Sequence, residues 1–208
     1  MNLLFFDIEC ATCRGGIGKI CEFGYVLADE NFNILKADNF LINPRSVFDW
    51  YTTKKILHYS KKRYQKSPDF GETYERIASV LKAENQVVLG QATKNDMKFL
   101  KDECIRYKLP YIDVKYGDVG YIFKVYENLE ETKSIEKMCE SLGIVNTEEL
   151  HQAVVDAKMT MEIFKALCAK FKLSPLEMLS SHDEFVVKFD FNEKTKNERK
   201  RMNNKKVK

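Results

Sequence analysis

The octapeptide LLFFDIEC at residues 3–10 governs how the rest of the chain is read. Four apolar residues in unbroken succession (Leu3, Leu4, Phe5, Phe6) running into acid are expected of a central strand buried on both faces, because a strand with one wet face alternates instead. Asp7 and Glu9 stand two apart at the end of that strand, and a period of two sends both carboxylates to one side of the sheet. Like charges held close together in a buried place repel, so either one carboxyl keeps a proton or a divalent cation compensates the pair. An exposed Asp and Glu at a strand end is the plainer reading of this pair taken alone.

Outward from that strand, residues 20–28 and 34–42 form two further apolar runs around the turn signal Asp29-Glu30-Asn31, which predicts a hairpin. Helical spacing follows at Phe70, Tyr74, Ile77 and Leu81, then a strand at 86–89, a helix from about residue 95 to 107 and a fifth strand at 111–114. A helix at 135–142 is stopped by Gly143, and a long amphipathic helix spans 151–171. No internal repeat is visible. Antiparallel strands first and alternating helices afterwards predict an α/β domain, a mixed five-stranded sheet flanked by helices in three layers.

A length of 208 residues suits one domain, and 44% hydrophobic with 31% charged residues supplies a sizeable core, which excludes a wholly disordered or collagen-like chain. The longest apolar runs fall far short of the ~20 residues of a spanning helix, so no membrane partner is expected. Asp7 and Glu9 interrupt the N-terminus too early for a secretory signal, and a cytoplasmic location is expected. The six cysteines then read as reduced thiols. The net charge of +3 is uneven: residues 191–208 hold eight Lys or Arg against two Glu, so the remainder is slightly acidic. This basic tail has little to bury and is expected to be disordered, either as a phosphate-contacting arm or as a solubilising appendage.

Two more acids and a histidine change the weight of the first pair. Asp96 opens a helix just after the strand at 86–89, and Asp156 lies on the last long helix five residues after His151. Each is weak alone: Asp96 could simply complement a helix N-terminus, Asp156 could be a solvated neighbour of Val154 and Val155, and His151 could be an ordinary N-terminal helix residue. Together, four carboxylates and an imidazole at strand and helix ends are what two-metal phosphodiester hydrolysis needs, with hard oxygen ligands for Mg²⁺ or Mn²⁺ and a base to take a proton from water.

The runs FFDIEC (5–10) with KICEFGYVL (19–27), LGQATKNDMKFL (89–100) and HQAVVDA (151–157) resemble, in order, the three motifs of the DEDDh, or DnaQ-like, 3′→5′ exonucleases on a ribonuclease H-like fold. INP at 42–44 and ILHYSKKRYQKSPDFGETYERI at 56–77 follow the same family pattern, and His151 five residues before Asp156 resembles the histidine subtype. The resemblance implies an exonuclease domain over residues 1–175, a C-terminal extension at 176–190 packing on or near it, and the basic tail. It implies that Asp7 bridges two ions, that Glu9 and Asp156 bind the ion activating water, that Asp96 holds the second ion and that His151 is the general base. It also implies substrate contacts at Cys10, Ala11, His58 and Gln91. The expected substrate is a single-stranded DNA or RNA 3′ end, released as nucleoside 5′-monophosphates, with a polymerase or other protein as partner. Cys10-Ala11 replaces the family's Thr-Thr, and Gln91, Ala92 and Asn95 replace its His-Asn and Phe around the second motif; no ligand is lost, but contacts to the terminal nucleotide are expected to differ.

Other features have competing readings. Cys10-x₂-Cys13 with Cys21 lacks the fourth ligand of a closed zinc site. Residues 50–66 mix Trp50, Tyr51, Tyr59 and Tyr64 with Lys54, Lys55, Lys61, Lys62, Arg63 and Lys66, which suits a single strand by stacking and charge, or else a packed helix with a solvated basic face. Gly15, Gly16 and Gly18 are not followed by the Lys-Ser/Thr of a triphosphate loop. Two functional alternatives remain: a binding or proofreading-partner module with weak hydrolysis, and a ribonuclease H-like endonuclease needing no free end.

Overall fold

The structure is a computed structural model and describes residues 1–12, 18–50, 58–145 and 150–192. Cys13, Gly15, Gly16, Tyr51, Lys54, Lys55 and the basic tail from residue 193 lie outside the described residues. Strands β1 (Asn2–Cys10), β2 (Ile20–Ala28) and β3 (Ile34–Leu41) open the chain. Helices α1 (Lys61–Lys66) and α2 (Phe70–Leu81) lead to β4 (Gln86–Gly90), α3 (Thr93–Tyr107) and β5 (Lys115–Asp118). Then come α4 (Val119–Tyr126), α5 (Ile135–Leu142), α6 (Ala153–Phe171), α7 (Pro175–Ser180), a 3₁₀ turn (Asp183–Phe185) and β6 (Val186–Lys188). Among the described residues the sheet has six strands in the order β3-β2-β1-β4-β5-β6. β1 pairs antiparallel with β2 and parallel with β4, β4 runs parallel to β5, and β6 closes the far side antiparallel.

β1 is the central strand expected, and its side chains divide by parity. Leu3 and Phe5 enter the core under α4, α5, α6 and α7, whereas Leu4, Phe6, Ile8 and Cys10 enter the core under α2 and α3. Helices on both faces make the three layers of a ribonuclease H-like α/β fold. Asp7 and Glu9 continue the odd series, so they emerge on the α6 face where β1 runs out of apolar neighbours. β4 and β5 run parallel to β1 and end on the same side of the sheet, which gathers the chain that follows them at the same edge.

Two elements are shifted from the sequence expectation and two are additional to it. The fifth strand lies at Lys115–Asp118 instead of 111–114, because β4 pairs Val88 with Tyr116 and Gly90 with Asp118. Tyr111 and Asp113 stay exposed, with Ile112 alone of the expected strand fully buried. The last long helix begins at Ala153, two residues after His151, which adopts φ 72° outside it. β6 is a sixth strand of only three residues, too short to leave a period in the sequence. α7 was legible but passed over: Ser174 caps it, Pro175 opens it and the Glu177 carboxylate accepts from the Ser174 N–H at 2.8 Å.

Candidate active site

Asp7 and Glu9 project from β1 beneath the first turn of α6. The register pairs Asp7 with Gly24 and Glu9 with Glu22 of β2, placing all four on one face. Gly24 matters there because a Cβ built on it would lie 2.1 Å from the Val154 nitrogen and 2.2 Å from the Ala153 carbonyl carbon. The absent side chain lets the α6 backbone settle directly on β2 and brings Asp156, in that first turn, over Asp7 and Glu9. Glu22 is fully buried and holds the same junction together: it accepts from the Ala153 N–H, from Asn39 Nδ2 at 3.0 Å and from the Tyr64 hydroxyl. Burial raises its carboxyl, while the Tyr64 and Asn39 hydrogen bonds oppose the shift.

Glu9, His151 and Asp156 offer ligand atoms that all lie within 4.8 Å of one another, a group able to hold a metal ion. Asp7 lies alongside in the same cleft, an opening of about 260 Å³ that Gln91, Glu136 and Leu150 also border. Asp7 is pushed well above the usual carboxylate range by burial and then by the charges of Asp156 and Glu22. Burial likewise raises Asp156 to about 6, against the pull of the His151 N–H and imidazole. His151 is exposed, and its backbone N–H donates to both Asp156 oxygens at 3.2 and 3.4 Å. The left-handed conformation of His151 thus ties the candidate base to a candidate ligand.

Asp96 belongs to the same electrostatic neighbourhood as Asp7. It lies in the first turn of α3, 5% exposed, and its carboxyl is raised by burial and by the charges of Asp7 and Asp118. Asp118, at the end of β5, accepts from the Ala92 and Thr93 N–H groups at 3.3 and 3.1 Å and from the Tyr121 N–H at 3.1 Å. One carboxylate therefore caps both α3 and α4 and sets the turn, with Ala92 at φ 53°, from which Asp96 projects. Sequence reasoning passed over this residue, although an Asp just before the apolar run Val119, Tyr121, Ile122 was a legible cap signal.

The donor set fits divalent cations. Asp96 Oδ2 is buried with no hydrogen-bond partner among the described residues, a vacancy in bonding that a carboxylate in a dry place rarely tolerates. With the Glu9–His151–Asp156 group and the buried Asp7 it makes a set of oxygen donors suited to hard cations.

The four expected substrate contacts divide. Gln91 borders the cleft and donates from Nε2 to the Lys133 carbonyl at 3.2 Å. His58 stands one step behind it, with Nε2 3.1 Å from the Leu150 carbonyl next to His151. The side chains of Cys10 and Ala11 pack elsewhere: Cys10 is an even residue of β1 and its side chain enters the α2–α3 core, while Ala11 is buried with Cys21 and Tyr64. Neither side chain reaches the cleft. The five described cysteines are all free and buried, as reduced thiols would be.

This cleft can be compared with known proteins. Residues 4–164 match the profile of the RNase T exonuclease family. The chain belongs to that family. A PolC-type DNA polymerase III from Mycoplasmopsis pulmonis (strain UAB CTIP) is 23% identical over 160 residues, covering 76% of this chain and 11% of the polymerase. Among solved structures, the nuclease domain of 3′hExo, a DEDDh family member, bound to rAMP, superposes with a TM-score of 0.71 at 16% identity, covering 82% of this chain and 92% of that one. A 3′-exonuclease described for 3′-end specific recognition of histone mRNA stem-loop gives 0.72 at 14% identity, covering 91% and 90%. Exonuclease I of E. coli with a dA16 oligonucleotide gives 0.66 at 14% identity, covering 86% of this chain and 42% of that one. These likenesses carry the fold: this chain has the ribonuclease H-like architecture of the DEDDh enzymes.

Proposed function

We propose that the chain is a 3′→5′ exonuclease that releases nucleoside 5′-monophosphates from single-stranded DNA or RNA, with two divalent cations, Mg²⁺ or Mn²⁺, and His151 as general base. The observation that carries this reading is the convergence of the ligand atoms of Glu9, His151 and Asp156 within 4.8 Å, with Asp7 in the same cleft and its charge felt at the buried Asp96. On this reading Asp7 would be shared, Glu9 and Asp156 would hold one cation and Asp96 the other. The cations supply charge neutralisation at the phosphorus and an acidified water. His151 is exposed and free to turn toward that water, and its backbone bond to Asp156 keeps the imidazole at the ligands' edge while it takes the proton. Gln91, anchored on the Lys133 carbonyl, is placed to meet the terminal nucleotide where the family has a histidine.

The decisive experiment incubates the protein with Mg²⁺ or Mn²⁺ and matched 5′-labelled DNA and RNA strands, alongside 3′-phosphorylated and circular controls. A ladder shortening from the 3′ end, absent on circles, is expected; cleavage of circles would make it an endonuclease instead. The PolC relative favours a second reading, a proofreading partner for a polymerase. That reading expects weak hydrolysis of free strands and stimulation by a mispaired primer end held by a polymerase.

A further inference from the structure

Helix α1 has a composition at odds with the acidic cleft beside it. Of its six residues, KKRYQK, only Tyr64 is buried, and its first turn holds no acid to meet the positive end of the helix. Lys62 and Lys66 are four apart, a like-charge spacing that opposes a helix. Among the described residues Lys61, Lys62, Arg63 and Lys66 enter no ion pair. A shallow cavity of about 430 Å³ lies against Ser60, Lys62, Arg63, Lys66 and Ser67, a lining of cations and hydroxyls without a carboxylate. Such a surface fits an anion with several oxygens.

Its attachment points it at the cleft. The Arg63 guanidinium sits 4.2 Å from the centre of the Tyr59 ring, and the Tyr59 oxygen accepts from Gln152 Nε2 at 2.5 Å, one residue from His151. On the inner side Tyr64 donates to Glu22 beneath the α6 junction. The chain before α1 adds an aromatic: the Phe48 ring packs 5.5 Å from that of Tyr64, the Asp49 N–H donates to the Ala11 carbonyl at 3.1 Å, and Trp50, next along, is 69% exposed. Clustered cations and an exposed ring on the segment that precedes them are the two components of sequence-tolerant single-strand binding, backbone charge and base stacking.

We propose that α1 and Trp50 form a track for the single strand upstream of the scissile bond, with phosphates on Lys62, Arg63 and Lys66 and a base stacked on Trp50. This rests on the reading that the cleft receives a 3′ end. The track explains how a cleft lined with Asp7, Glu9, Asp156 and Glu136 admits a polyanion, because unneutralised cations next to it hold the strand that its own acids repel. It predicts that affinity grows with strand length beyond the nucleotides that the cleft itself covers.

The test measures binding of labelled oligothymidylate and oligouridylate in EDTA, so that nothing is cleaved, across a salt series, using the full chain and a Lys62→Ala/Arg63→Ala/Lys66→Ala variant. A single strand loses about 0.7 in log K per log salt for each phosphate contact, so removing three contacts should flatten the slope by about 2 and abolish the gain with length. Trp50 is the only tryptophan in the chain, so its fluorescence should be quenched as the strand binds. Hydrolysis of the p-nitrophenyl ester of thymidine 5′-monophosphate with Mn²⁺, too small to reach the track, should be the same in the full chain and in a Lys62→Ala/Lys66→Ala variant, which keeps the Arg63 contact on Tyr59. Equal slopes and equal length dependence would overturn the track, and an unquenched Trp50 would remove the stacking half. A changed slope in a protein that hydrolyses neither ester nor strand would keep the track and discard the exonuclease reading.

Discussion

Asp7 and His151 carry separate chemical burdens, and their substitutions separate accordingly. On the proposed two-cation reading Asp7 is the shared ligand, so Asp7→Ala should abolish hydrolysis of a labelled strand in Mg²⁺ while circular dichroism shows an unchanged fold. Near-wild-type turnover would sink the two-cation assignment. His151 touches no core, and His151→Ala should slow hydrolysis by roughly 10²–10⁴-fold, the usual worth of a general base. Isothermal titration with Mn²⁺ should find the remaining carboxylates still binding; normal rates across neutral and alkaline pH would take His151 out of the mechanism. Asp7, Glu9 and Asp156 were legible because a period of two and a five-residue spacing are local facts. Motif position says nothing of the face to which a side chain turns, and the parity of β1 sends the Cys10 side chain away from the cleft.

At the scale of elements, the junction of α6 with β2 decides whether the site assembles. Gly24→Ala would drive a methyl into the Val154 and Ala153 backbone at about 2 Å, and a helix backbone yields only by moving as a unit. The substitution should cost about 1–3 kcal/mol or more in urea unfolding and lower activity beyond that loss, because Asp156 and His151 leave with the helix. An unaffected Gly24→Ala would mean that α6 is not seated where Asp156 needs it. α2 and α5 were readable to the residue, since Asp69 and Ser134 cap them and Gly143 ends the second at φ 67°. β5 was misplaced because the alternation of residues 111–114 is as strand-like as that of 115–118, and only pairing with Val88–Gly90 chooses between them.

For the molecule as a whole, the uncompensated acids make stability depend on pH and on metal together. Asp7, Asp96 and Asp156 titrate higher in the folded chain than in the unfolded one, so between the two values the folded state binds more protons and stability falls as pH rises. For Asp156 the window runs from 3.8 to about 6, and the penalty is fully felt above it. That shift alone corresponds to roughly 3 kcal/mol, or about 6–12 °C for a domain of this size. In EDTA the melting temperature should therefore be higher at mildly acidic pH than at alkaline pH, and Mg²⁺ or Mn²⁺ should restore the alkaline value. Asp7→Ala should shrink the EDTA difference. A melting temperature in EDTA that rises with pH would show that these carboxyls are not raised by burial.

The class of fold, the central strand, the hairpin beside it and the choice of four acids and a histidine as candidates were all within reach of the sequence, because each leaves a local trace: an apolar run, a turn, a spacing, a cap. Three-dimensional packing was needed to bring Asp156 over Asp7 and Glu9, to make Asp118 cap two helices at once, to let Glu22 tie β2 to β3, α1 and α6, and to turn the cations of α1 outward. These depend on parallel strands ending at one edge and on a glycine that lets one helix backbone rest on a sheet. Such contacts join residues far apart in the chain, and the free energy that selects them comes from burial of surfaces that no single segment possesses alone.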